Sequence, residues 1–154
     1  MSEQGVTGRP EVHPMRERGR AANPVVPLLR QALRSGRPHR ELAAVAAAGP
    51  AAVPALAAAL REGDGPVRRA AALALGYMPP HALPVAIDLA AALGDRDAAV
   101  RRAAARALGA LGTQAARAVP RLFQALGDAD SRVRRAAAEA LANVGATAGA
   151  PPRR

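Results

Sequence analysis

The chain has no cysteine and no tryptophan, one tyrosine and one phenylalanine, and no lysine among its 22 basic side chains. Without cysteine, disulfide staples and thiol chemistry are excluded, and no redox compartment is indicated. With so few aromatic rings, base stacking and aromatic ligand cages are poorly supplied. No apolar run reaches the roughly 20 residues needed to cross a bilayer. The first 22 residues set Glu3, Glu11 and Glu17 among arginines around no apolar centre, which is not the pattern of a secretory signal. A cytoplasmic location is the default expectation, with no membrane partner.

What is present is alanine and arginine. Half of the 154 residues are hydrophobic, alanine dominating them, and the net charge is +10. A length of this order suits one domain. Alanine fills a globular core badly but has the best helix propensity and lets helix axes approach closely. Burial must then come from leucine and valine, at about 1.5–3 kcal/mol for each side chain. The exclusive use of arginine points to GC-rich coding. The charge itself still favours acidic partners or nucleic-acid backbones.

One phrase is written three times. Asp64-Gly-Pro-Val67-Arg68-Arg69 returns as Asp97-Ala-Ala-Val100-Arg101-Arg102 and as Asp130-Ser-Arg-Val133-Arg134-Arg135, with a step of 33 residues. Leu56, Leu89 and Leu122 keep this step, as do Leu60, Leu93 and Leu126. A degenerate copy starts at Val26-Pro27-Leu28-Leu29, 27 residues before Val53-Pro54-Ala55-Leu56. A fixed period of this size signals stacked repeats. Val67, Ala71, Ala74 and Leu75 lie on one face of a helix. Asp64, Asp97 and Asp130 stand where a carboxylate caps a helix start. Gly76 and Gly109 follow the last leucine, where a helix stop is expected. Asn23-Pro24 opens the first helix, Thr113 is placed to cap the last pair, and Pro120 should kink its helix or mark a late start.

Together these features resemble the HEAT repeat, in the short form known from phycobilisome-lyase-like proteins. The resemblance rests on the Val-Pro-x-Leu start and on Asp-x-x-Val-Arg-x-x-Ala-x-x-x-Leu-Gly, and it spans roughly residues 24–145. It implies an all-α solenoid of about four HEAT-like helix pairs, over 24–49, 50–78, 80–111 and 113–145. A polar N-terminal tail over 1–22 and a flexible C-terminal tail over 146–154 should flank this 23–145 repeat domain. The first repeat is atypical: Arg37 stands where Asp64 would be, Arg40 replaces Val67 and Glu41 replaces Arg68. Terminal repeats commonly depart from consensus because one face meets water. No further helix follows to cover Leu141 and Val144, so self-association through that end, or a longer array, is an open expectation.

The resemblance also implies a ladder in which the first arginine of each pair reaches an aspartate of a neighbouring repeat. Its members are expected to be Arg68, Arg101 and Arg134 with Asp64, Asp97 and Asp130. The second arginines, Arg69, Arg102 and Arg135, should point outward together with Arg106. They are the candidate partner-binding residues.

Catalytic patterns are missing. His13, His39 and His81 have no metal-ligand partner at i+3 or i+4. The His-Glu pairs with which HEAT-type deoxyhypusine hydroxylases bind iron do not occur. The aromatic residues that HEAT-type DNA glycosylases place around a lesion are lacking. No nucleophilic triad or phosphate loop is present. No catalytic residue, metal or cofactor is therefore expected. The expected function is a non-catalytic scaffold that binds an unidentified, acidic protein partner on the arginine-lined face of the second helices. A nucleic-acid-associated scaffold and a lyase-type or enzyme accessory subunit are the alternatives.

Overall fold

The computed structural model describes residues 23–78 and 83–148. The chain folds as helix pairs: α1 (Val25–Arg34) with α2 (Pro38–Ala46), α3 (Val53–Glu62) with α4 (Gly65–Gly76), α5 (Leu83–Ala92) with α6 (Ala98–Leu111), and α7 (Val119–Ala125) with α8 (Ser131–Ala148). No strand occurs among the described residues. The second helices form a continuous layer in which α2 packs on α4, α4 on α6 and α6 on α8. Each also packs against the first helix of its own pair. This is the α-solenoid that the 33-residue period predicts.

The recurring positions build the core. Leu56, Leu89, Leu122, Val67, Val100 and Val133 are all fully buried, and alanines fill the spaces between them. Because every repeat buries the same stripe against its neighbour, the core is a column rather than a ball.

Prolines stand at helix starts. Short 3-10 segments over Gly49–Ala52 and Gly112–Ala118 run into α3 and α7. Pro54 and Pro120 fall in the first turn of those α-helices, where the missing N–H would have had no partner anyway. Pro120 thus marks a late start. Thr113 lies inside the second 3-10 segment, and neither that segment nor α7 has a side-chain cap.

The glycines expected to stop helices serve a different purpose. Gly76 and Gly109 lie within α4 and α6 rather than beyond their ends. A Cβ on Gly76 would stand 2.9 Å from Cα of Ala107, and one on Gly109 would stand 3.0 Å from Cα of Ala140. These glycines let consecutive second helices touch backbone to backbone. The positive φ expected of a turn belongs to Gly49 and Gly112 instead, at 75° and 56°. Helix α6 consequently ends about one turn beyond Leu108.

The expected tail over 1–22, His13, His81 and residues 149–154 lie outside the described residues. At the other end, α8 continues through Ala148, into the first residues of the tail expected over 146–154.

Candidate functional site

Each second helix starts with a capped turn that orients its arginines. Asp64 Oδ1 accepts from the backbone N–H of Val67 at 2.9 Å, and Asp97 Oδ1 accepts from that of Ala99 at 2.8 Å. Asp130 accepts from Arg132 and Val133. With the start fixed, the first arginine of each pair turns back over the preceding loop and the second turns out.

The ladder exists, but its acceptors are not the capping aspartates. Arg68 donates from Nε and Nη2 to Asp95 at 2.7 and 2.8 Å. Arg101 does the same to Asp128 at 2.7 and 2.9 Å. Each bond spans 27 residues and clamps one repeat to the next. The expected partners Asp97 and Asp130 sit two residues downstream, committed to their own helix starts. Their backbone N–H groups donate to Asp95 and Asp128 at 2.8 and 2.9 Å, which fixes the receiving carboxylates. Asp64 likewise lies outside the ladder and takes an exposed contact from Arg30 at 3.0 Å.

The paired side chains are nearly out of water, with exposures of 9% and 13% for Arg68–Asp95 and 17% and 10% for Arg101–Asp128. Hydrogen bonds from Arg68 hold the Asp95 carboxyl below the ordinary range against the opposing effect of burial, helped by the Asp97 N–H. Arg101 does the same for Asp128. Reciprocally, the carboxylates raise the guanidinium pKa values of both arginines. Bidentate, fully charged pairs of this kind are strong and directional.

Arg134 is the exception. Its Nη1 donates to the loop carbonyls of Asp128 and Ala129 at 2.8 and 3.1 Å. Among the described residues no carboxylate meets its Nε and Nη2 edge.

The outward arginines also differ among themselves. Arg69 and Arg106 are exposed and Arg102 is half-buried. None of the three has a side-chain hydrogen bond or ion pair within the described residues. Arg135 is engaged by Glu139 one turn along α8 at 2.9 Å, though both side chains remain largely in water. Arg106 also lines a shallow pocket of about 150 Å³ with His39, Leu73, Gly76, Tyr77, Ala107 and Ala110. On its rim the His39 ring Nδ1 and the Tyr77 hydroxyl are 2.6 Å apart, joining α2 to the end of α4. The pocket brings together three repeats. Sequence reasoning missed it because His39 and Tyr77 are 38 residues apart and the first repeat breaks the period. Among the described residues, no group of three His, Asp or Glu side chains is arranged to hold a metal ion. No single described helix is long and apolar enough to cross a membrane.

A layered stack of helix pairs joined by arginine–aspartate clamps defines an α-solenoid repeat protein. The family model for HEAT repeats matches residues 53–117 and 86–152, and the chain belongs to the HEAT repeat family. This match does not single out the short phycobilisome-lyase-like form. Repeats of this family generally serve as protein-interaction scaffolds and are typically non-catalytic. A comparison with curated proteins finds no match.

Proposed function

We propose that the protein is a non-catalytic scaffold that binds an acidic protein segment across the second-helix layer. The observation that carries this reading is the contrast between the two arginines of each pair. Arg68 and Arg101 are consumed by the fold, whereas Arg69, Arg102 and Arg106 have no side-chain partner among the described residues and stand on the packed helices α4 and α6. Arginine on a rigid platform anchors interfaces well, because its planar fork binds carboxylates with little loss of freedom. The pocket beside Arg106 adds a small apolar floor, suited to one side chain of the segment whose carboxylate meets the guanidinium.

The test is capture from native lysate, with and without nuclease, using wild type beside a folded Arg69→Glu, Arg102→Glu, Arg106→Glu variant. A discrete protein that survives nuclease and is lost with the variant supports the reading. Recovery that depends wholly on nucleic acid, and falls steeply with salt, would instead make the +10 net charge the functional feature. A partner retained by the triple variant refutes this choice of face.

A further inference from the structure

The third arginine of the ladder, Arg134, meets no carboxylate among the described residues. Arg68, Arg101 and Arg134 share one arrangement: Nη1 is tied to carbonyls of the preceding loop, at 2.9 Å to Gly63, 2.8 Å to Asp95 and 2.8 Å to Asp128. This tie aims the Nε and Nη2 edge toward the next repeat. In the first two cases that edge holds a carboxylate on two bonds. In Arg134 the same edge is exposed and has no carboxylate among the described residues. Apolar side chains at and just after α7, in the same repeat, are also exposed among the described residues. Leu126 is 37% exposed, whereas Leu60 and Leu93 in the same slot are 4% and 6% exposed. Phe123, 60% exposed, occupies a slot that inner repeats fill with Ala57 and Ala90.

We propose that this end of the solenoid is a second docking site, for a partner protein that presents an aspartate or glutamate beside apolar side chains. The carboxylate takes the Nε and Nη2 edge of Arg134 while the apolar groups cover Leu126 and Phe123. The guanidinium is already oriented, so little side-chain freedom is lost on binding. A second copy stacked head to tail does not fit. Where Asp95 and Asp128 stand, the first repeat has Ser35, whose hydroxyl is donated to the carbonyl of Ala32 at 2.8 Å. Two residues on it has Arg37, which would face Arg134 with like charge. Between a second copy and a different chain, this charge pattern favours the different chain.

The test uses the full chain and a synthetic helical peptide carrying one aspartate flanked by leucines, with its asparagine counterpart as control. Binding is followed by the Arg134 Nε–H resonance, and for the variants by backbone amides of the 126–131 loop. The aspartate peptide should bind about tenfold more tightly than the asparagine peptide, as expected for a charge-assisted bidentate contact. Arg134→Ala should abolish that preference. Arg134→Lys, which keeps the charge and loses the fork, should reduce it. Arg34→Ala, an equal loss of charge at the far end, should leave it intact. Equal binding of the two peptides, or a preference that survives Arg134→Ala, overturns the proposal. Sedimentation showing wild type to dimerise without peptide, and Arg134→Ala to be monomeric, overturns the choice of a different chain as occupant.

Discussion

Replacing Arg101 with alanine should be among the most damaging single changes outside the leucine core. The guanidinium donates twice to Asp128 and also to the carbonyls of Asp95 and Arg96, at 2.8 and 3.3 Å. Its removal leaves a carboxylate that is only 10% exposed without its cation. Breaking a buried pair from one side costs about 3–5 kcal/mol. The low end applies, because Asp128 keeps the N–H of Asp130 and sits near enough to the surface for water to reach it. A loss of about 3 kcal/mol in a chain of this length lowers Tm by roughly 6–12 °C. Circular dichroism melts of Arg101→Ala, Asp128→Ala and the double variant would measure it. The double variant should be less destabilised than the sum of the singles by at least ~1.5 kcal/mol, since the second deletion removes an already orphaned charge. Hydrogen exchange should show the loss concentrated where α6 meets α8, because solenoid interfaces act between nearest neighbours. A Tm change below about 2 °C, or strict additivity, would refute the clamp.

Further outcomes follow from the same geometry. Arg135→Ala, which removes an exposed i,i+4 pair with side chains 83% and 59% in water, should change stability by no more than about 0.5 kcal/mol in the same melts. Gly76→Ala should destabilise by about 1 kcal/mol net, since overpacking against the Ala107 backbone exceeds the helix-propensity gain. Ala142→Gly, at the corresponding place in α8, should destabilise by about as much through propensity alone, and urea titration of the two variants reads both. Acid should weaken the stack. The folded-state pKa values of Asp95 and Asp128 are lowered, so their contribution is complete above the unfolded aspartate value near 3.9. It is lost as pH falls from there through the lower folded values. Asp95→Asn with Asp128→Asn should flatten that part of the stability profile, and an unchanged acid slope would count against the lowered values.

The candidate site was partly legible, and its two halves were legible for different reasons. The outward setting of Arg69 and Arg106 follows from helix periodicity, because Val67 and Val100 must face the core. The choice between Asp95 and Asp97 as the receiver of Arg68 does not follow. Both aspartates recur at the same step, as Asp128 and Asp130, so repetition cannot tell a bridge from a cap. The loop decides: Asp97 is held by the N–H of Ala99, while Asp95 is turned by the N–H of Asp97 to face the preceding repeat. The first repeat was the least legible, because with Glu41 in the ladder position its junction is made by the exposed Arg30–Asp64 contact and the His39–Tyr77 and Asn23–Ala55 hydrogen bonds.

The sequence by itself determined that this protein is a stack of helix pairs. Burial of one stripe per repeat requires leucine, valine and alanine at fixed positions, and a requirement repeated in space is written as a period. Tertiary structure alone decided which charges are spent and which are free. It paired Arg68 and Arg101 with Asp95 and Asp128, tied Arg134 to the carbonyls of its own loop, and brought His39 to Tyr77. It also turned Gly76 and Gly109 from expected helix stops into points of contact. Those outcomes depend on loop geometry and on the distance between neighbouring helices, and neither has a local signature in the order of residues.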